Sequence, residues 1–111
     1  MSLDLVVLSP NAASSEDDAL AMWVSESEGD PEDPALAQFA SEIDERFTDE
    51  EWPFTGDPIV CSDHVSLVIA PEEWERVVPE IVDLAHRNGL IVLDPQYGGE
   101  AKLFPPGASY E

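Results

Sequence analysis

Residues 86–96 read HRNGLIVLDPQ and predict three features in close succession: the end of a helix, a turn and a buried strand. The two basic residues that open the segment suit the last turn of a helix, where the helix dipole is negative. Gly89 can adopt the left-handed conformation that commonly follows such a turn. Residues 90–93 are all apolar, as in strands covered on both faces, and the Asp94-Pro95 step ends the run. The segment therefore predicts a helix that leads directly into a central strand.

The helix before this segment is predicted to begin at Pro71. Its apolar residues recur at helical spacing and are Trp74, Val77, Val78, Ile81, Leu84 and Ala85. Pro79 lies inside the stripe and lacks a backbone donor, so we expect it to kink the helix or to restart it. Residues 59–61 and 65–69 read as a hairpin that precedes this helix, and Lys102–Phe104 reads as a short last strand.

The first half of the chain contributes one strand and two helices. Leu3–Leu8 (LDLVVL) is a short run rich in strand-forming residues. A serine cap followed by three carboxylates predicts a helix that ends near residue 25. We expect that helix to bury Leu20, Trp23 and Val24. The Asp33-Pro34 step is typical of the start of a second helix, whose apolar stripe comprises Leu36, Phe39, Ile43 and Phe47.

The predicted order of elements is therefore β-α-α-β-β-α-β-β, in a single domain over residues 1–111. This order favours an α+β fold, with a small mixed or antiparallel sheet and three helices mainly on one face, related to ferredoxin-like folds. Residues 48–58 read as a loop between the second helix and the hairpin. The predicted core comprises Leu5, Val7, Trp23, Leu36, Phe39, Ile43, Val68, Trp74, Ile81, Leu84 and Val92.

Charge is the strongest compositional signal. The 111 residues include 25 Asp and Glu but only 4 Lys and Arg, for a formal net charge of −21. This composition argues against nucleic acid and anionic membranes as partners and favours a basic protein. The sequence shows no secretory signal and no apolar run of the roughly 20 residues that span a bilayer. A lone cysteine suits a reducing cytoplasm, so we expect a cytoplasmic protein.

Reactive residue types cluster only at Cys61-Ser62-Asp63-His64. A zinc site needs three or four nitrogen or sulfur ligands, and a cysteine nucleophile needs a base within hydrogen-bond reach. We expect the short hairpin to direct Cys61 and His64 to divergent faces, with a buried thiol and an exposed histidine in the turn. No nucleotide-binding, zinc-protease or EF-hand motif occurs. We therefore expect neither enzymatic activity nor a bound metal or cofactor.

The layout resembles that of small, acidic bacterial proteins of the immunity type, which are encoded beside polymorphic toxins. The matching parts are the LDLVVL strand, the capped acidic helix, ALAQFASEIDERF, the strand pair in mid-chain and VVPEIVDLAHRNGLIVLDPQ. The last block is the most specific of them. The resemblance implies a protein that binds a cognate toxin and blocks it, and it leaves the class of toxin and the contact residues undefined.

The candidate contact surface combines carboxylates with aromatic side chains in two loops. An aromatic anchor lengthens residence time, whereas charge alone promotes encounter. The candidate residues are Asp49, Glu50, Glu51, Trp52, Gln96 and Tyr97. Two alternatives remain: a nucleic-acid mimic or acidic adaptor for a basic regulator, and an acid-rich domain adapted to a high-salt cytoplasm. We expect a monomer or a weak dimer in each case.

Overall fold

The computed structural model describes residues 3–10, 15–24, 29, 33–47, 53–55, 58–96 and 100–108. Five strands and three helices lie in these ranges. The strands are β1 (Leu3–Leu8), β2 (Ile59–Val60), β3 (His64–Ile69), β4 (Ile91–Asp94) and β5 (Lys102–Phe104). The helices are α1 (Glu16–Val24), α2 (Pro34–Arg46) and α3 (Trp74–Arg87), the last preceded by a 3₁₀ turn, Pro71–Glu73. The predicted α+β class and the predicted order of elements are confirmed.

The strands form one antiparallel sheet in the order β2-β3-β1-β4-β5. Its first four strands follow the ferredoxin-like arrangement, in which two β-α-β units interleave so that β1 and β3 become central neighbours. Helices α2 and α3 are the crossover helices of these two units. Helix α1 and strand β5 are additions to that arrangement.

The two faces of the sheet bury different amounts of apolar surface. Because side chains alternate along a strand, Leu5 and Val7 of β1 face α2 and α3, whereas Val6 and Leu8 face α1. Among the residues that the structure describes, the α2–α3 face carries nineteen buried apolar residues and the α1 face carries four. Two helices therefore lie on one face and one on the other, which refines the expectation of three helices mainly on one face.

The end of α3 has the geometry that the opening segment predicts. Gly89 has φ +72°, in the left-handed region. Its N–H donates to the carbonyl oxygen of His86 at 3.0 Å, and the Leu90 N–H donates to that of Ala85 at 2.9 Å. These two bonds form a Schellman motif, which satisfies two carbonyls of the last helical turn and turns the chain into β4. The predicted glycine cap is confirmed.

Side-chain caps fix the starts of the first two helices. Ser15 Oγ accepts from the Asp18 N–H at 3.2 Å, and Asp33 Oδ1 accepts from the Ala35 N–H at 2.9 Å, as both cap sequences predict. The second carboxylate oxygen of Asp33 accepts from the Ser9 hydroxyl, also at 2.9 Å. This bond ties the end of β1 to the start of α2.

Both edge strands of the sheet are short, and each has a backbone group bound from outside the sheet. On β2, the carbonyl oxygen of Val60 accepts from the Gly29 N–H at 3.1 Å. On β5, the Leu103 N–H donates to a carboxylate oxygen of Glu16 at 3.3 Å. Short, partly occupied edges disfavour the addition of another strand.

Five positions that were predicted to be buried differ from the structure. Val24 is 81% exposed because α1 ends there, beyond the edge of the apolar cluster. The other four are half-buried; they are Leu20, Trp23, Val68 and Trp74. The remaining predicted core residues are buried.

The helix around Pro79 does not restart. Helix α3 runs continuously from Trp74 to Arg87 with the proline inside it. Pro79 itself is exposed, whereas Val78 and Ile81 on either side of it are fully buried. The proline therefore lies on the outer face of α3, where water can reach the carbonyl oxygen that loses its helical donor.

No helix in the described part of the chain combines the length and the apolar character needed to cross a membrane.

Replacing Gly89 by Val should lower the free energy of unfolding by about 1 kcal/mol or more, because a β-branched residue is strained at positive φ. A Cβ at this position would meet no heavy atom within 4 Å, so the cost reflects backbone conformation and not a clash. Gly89→Asn is the matched control and should cost less, since Asn tolerates the left-handed region. Chemical denaturation measures both. Equal stability of the wild type and the Val variant would contradict the assigned cap.

Candidate protein-binding surface

The end of β4 is held by a side chain that takes the place of a strand. Gln96 Nε2 donates to the carbonyl oxygen of Asp4 at 2.8 Å, and the Asp4 N–H donates to Gln96 Oε1 at 3.2 Å. Extending the β1–β4 register by two residues from the Val6–Leu93 pair places Pro95 opposite Asp4. Proline has no N–H to donate. The Gln96 amide supplies both the donor and the acceptor that the ladder requires at this position.

Asp94 holds the glutamine in place. Its side chain is buried, and its Oδ1 accepts from the Gln96 backbone N–H at 3.1 Å and also from Gln96 Nε2. The carboxylate thus turns the chain and orients the amide towards β1. The Asp-Pro-Gln sequence is a structural unit in which each residue has a separate role, since Asp94 orients, Pro95 ends the strand and Gln96 continues the ladder.

Described residues in or beside the two predicted contact segments, Phe54 and Gln96, lie at the same end of the sheet. Phe54 forms an isolated bridge with Ile69, the last residue of β3, and Ile69 pairs with Leu3 at the start of β1. Gln96 binds Asp4, the next residue of β1. Three strand spacings, roughly 14 Å, separate the position of Phe54 from the end of β4. We refer to Asp4, Thr55, Val68, Glu72 and Gln96 as the strand-end surface.

A buried aromatic pair anchors the chain where it enters this surface. Phe54 is buried and meets Phe47 edge to face, with ring centroids 5.6 Å apart at 86°. The Thr55 N–H donates to the carbonyl oxygen of Val68 at 2.9 Å. Phe54 therefore belongs to the core, although it lies in the segment that was predicted to be a loop.

Of the six predicted contact residues, the structure describes one. Asp49, Glu50, Glu51, Trp52 and Tyr97 lie outside the described residues. Gln96 lies at the strand-end surface and is half-buried, with its amide engaged by Asp4 and Asp94. Its predicted contact with a partner stays a prediction, and its structural role is one that the sequence analysis missed.

All four cationic side chains of the chain interact within the domain. Arg46 pairs with Glu80 at 2.6 Å, Arg87 pairs with Asp83 at 2.7 Å, and Arg76 pairs with Glu73. The Lys102 ammonium lies 5.3 Å from the centre of the Phe104 ring. Each arginine therefore has its charge compensated locally, so the carboxylates determine the sign of the surface.

Exposed carboxylates lie on every helix and at the strand ends. Two lie in the last turns of α2 and several more flank both ends of α3. Nine acidic residues are exposed within the described ranges, namely Glu16, Asp17, Asp18, Asp44, Glu45, Glu72, Glu75, Asp83 and Glu100. This distribution produces a negative field over both helical layers and not a single acidic pocket.

The hairpin between β2 and β3 differs from its predicted form. The Cys61 N–H donates to the carbonyl oxygen of His64 at 2.8 Å, so these residues lie opposite each other and their side chains share a face. Each of the two residues exposes only 1% of its surface to solvent. His64 is therefore not an exposed turn residue. Its Nδ1 lies 2.7 Å from Asp63 Oδ1, so this buried ring nitrogen has a hydrogen-bond partner.

No metal site emerges in the described ranges, and a cleft found there is shallow. No group of three or more His, Cys, Asp or Glu residues there could hold a metal ion. A shallow cleft of about 220 Å³ lies between α2 and the β2 edge, lined by Ala40, Asp44, Pro58 and Val60. One carboxylate over three apolar side chains offers little to orient a small molecule, which ordinarily needs several convergent polar groups.

Replacing Gln96 by Ala should lower the free energy of unfolding by about 1–3 kcal/mol, because the Asp4 N–H and C=O both lose their partner. Gln96→Glu should cost more at neutral pH, since a carboxylate cannot donate to Asp4 and would repel Asp94. Below about pH 4, which is below the ordinary pKa of a glutamate side chain, the introduced carboxyl group is protonated and can donate to Asp4. The difference in stability from the wild type should then shrink. Denaturation at both pH values measures this. A Gln96→Ala variant as stable as the wild type would contradict the strand-replacement role.

Cys61 should resist labelling by Ellman's reagent in the native protein, because its thiol is buried. Labelling should become complete in denaturant. Rapid labelling of the native protein, at the rate of a free thiol, would contradict the hairpin as described.

No family model matches the chain, and comparison with curated proteins and with solved structures likewise finds no significant match. We therefore infer function from the charges, contacts and surfaces described above.

Proposed function

We propose that this protein is a binding protein of the immunity type, which neutralises a cognate toxin or another basic protein by covering part of its surface. It acts as an inhibitor by occupancy and performs no reaction. The proposal includes the strand-end surface and the two segments that lead away from it, with Asp49, Glu50, Glu51, Trp52, Gln96 and Tyr97 as contact residues.

The internal pairing of all three arginines is the observation that carries the proposal. A protein whose acidity served only to balance its own cations would place carboxylates near them and few elsewhere. Here the exposed carboxylates greatly outnumber the cations and extend over α1, which carries no basic residue. Such a surface attracts basic proteins and repels nucleic acid.

The described residues beside the contact segments support the same function. Charged surfaces accelerate encounter, but screening over about 8 Å at physiological salt limits the contribution of each carboxylate to its neighbourhood. Affinity then requires a buried anchor within the charged area. The chain on either side of Pro53 contains Trp52 and Phe54, and Phe54 is fixed in the core. A rigid attachment beside an aromatic side chain reduces the entropy lost on binding.

The proposal predicts that the protein forms a complex with the product of its neighbouring gene. Trp52→Ala combined with Glu50→Lys should weaken that complex about tenfold or more, equivalent to roughly 1.4 kcal/mol. Isothermal titration calorimetry measures the affinity. Asp83→Lys is the matched charge reversal, on an exposed position near the end of α3 away from the strand-end surface, and should change affinity by no more than about threefold.

Salt provides the second arm of this experiment. The association rate should fall as ionic strength rises from low to physiological values, because steering depends on unscreened charge. Two results would count against the proposal: a wild-type complex indifferent to salt, and a double variant that folds normally and binds as tightly as the wild type.

A further inference from the structure

The turn between α3 and β4 contains the step Asn88-Gly89, which has the chemistry for intramolecular deamidation. In such a step the backbone nitrogen of the glycine attacks the side-chain Cγ of the asparagine. A new C–N bond closes a five-membered succinimide ring, the bond from Cγ to Nδ2 breaks, and ammonia leaves with the proton of the attacking nitrogen. Glycine favours this reaction because it has no Cβ to crowd that nitrogen. The other asparagine of the chain, Asn11, precedes an alanine.

The native cap of α3 engages the attacking nitrogen. The Gly89 N–H donates to the carbonyl oxygen of His86 at 3.0 Å, within the Schellman motif that ends the helix. A planar ring also needs the Asn88 Cβ and the Gly89 nitrogen to lie on the same side of the Asn88 Cα–C bond. The observed ψ of 6° at Asn88 holds these two atoms apart, and the rotation that would bring them together crosses sparsely allowed backbone conformations. The cap therefore has to open before the ring can close.

The amide that would leave is engaged as well. Asn88 Nδ2 donates to Glu42 Oε1 at 2.8 Å and to the carbonyl oxygen of Leu84 at 2.9 Å. The first of these bonds joins the end of α3 to α2, and its charged acceptor makes it the stronger kind of hydrogen bond. Both bonds must break before the side chain can rotate towards Gly89.

Either product of the reaction would disrupt this junction. Hydrolysis of the succinimide by water gives an aspartate or an isoaspartate at position 88. An aspartate has no amide proton to donate, so the Leu84 carbonyl loses a partner and a second carboxylate faces Glu42. The new negative charge also lies at the negative end of the α3 dipole. An isoaspartate adds a methylene to the backbone between α3 and β4, which displaces the groups that form the Schellman bonds.

We propose that Asn88-Gly89 is a modification site, at which deamidation proceeds in molecules whose α3 cap has opened and thereby separates α3 from α2. Local opening sets the rate, because the closed cap keeps the reacting atoms both bonded and misaligned. Water, which the exposed Gly89 meets at the surface, supplies the hydrolysis. The modification is independent of the proposed function, and it permanently marks molecules that have spent time partly unfolded.

Peptide mapping by mass spectrometry, after incubation at mildly alkaline pH, measures deamidation at each asparagine. A synthetic peptide of residues 86–90 in the same buffer gives the rate without the fold. Asn88 in the native protein should react about tenfold more slowly than in the peptide, or slower still. In protein unfolded by guanidinium chloride, Asn88 should react faster than Asn11, the internal reference. Equal rates in the native protein and the peptide, or at Asn88 and Asn11 of the unfolded chain, would overturn the proposal.

Variants of α2 test the role of its carboxylate. Glu42→Ala removes an acceptor of Asn88 Nδ2 and should raise the native rate of deamidation about threefold or more. Glu45→Ala is the matched control, since Glu45 is an exposed carboxylate of the same helix, and should leave the rate unchanged within about twofold. Both variants should match the wild type once unfolded. A native rate in Glu42→Ala equal to that of the wild type would overturn the assigned role of Glu42.

Asn88→Asp reproduces one product of the reaction. Its melting temperature should lie about 4 °C or more below that of the wild type. Adding Glu42→Gln should recover about half of this loss, because a glutamine amide can donate to the new carboxylate. An Asn88→Asp variant as stable as the wild type, or a double variant without recovery, would contradict the separation of α3 from α2. Should Asn88→Asp prevent folding, the deamidation rates of the wild type and of Glu42→Ala still decide the proposal.

Discussion

The pairing of β1 with both β3 and β4 is the interaction on which the rest of the structure depends. β1 is the central strand, and its residues from Leu5 to Leu8 are buried on both faces. Apolar burial on two sides pins the register, because a shift by one residue would exchange the side chains of the two faces. The Ser9–Asp33 bond then sets the start of α2, and the Gln96 amide closes the ladder beside Asp4.

Much of this fold could be read from the sequence because its signals are local. Helix caps at Ser15 and Asp33, the cap at Gly89 and the apolar stripe of α2 each follow from the physics of a few neighbouring residues. The face that α1 covers could not be read in this way, since its apolar residues are consecutive, 19–24, and surround the helix instead of forming one stripe. Val24 illustrates the limit: its position suits an apolar stripe, yet the helix ends where the sheet no longer lies beneath it.

The polar positions were harder to predict than the apolar ones. Gln96 was identified as a candidate contact residue, but its own position in the sequence does not indicate that its amide bonds to Asp4, 92 residues away along the chain. The signal that could have revealed it is Pro95, because a proline at the end of a central strand leaves a neighbouring carbonyl without a partner. His64 is similar, because burial of the imidazole depends on the hairpin register and on an aspartate that the turn holds beside it.

The short, partly occupied edges of the sheet restrict how the proposed complex with another protein could form. The edge strands are two and three residues long, and Gly29 and Glu16 each bind one backbone group on them, so each edge offers only a short stretch of main chain to an incoming strand. Recognition must then depend on side chains that the interior does not use. Such positions can change by single substitutions with little effect on folding. Proteins with this scaffold could therefore acquire compensating substitutions when the surface of a partner changes during evolution. The scaffold would remain constant while its specificity drifted.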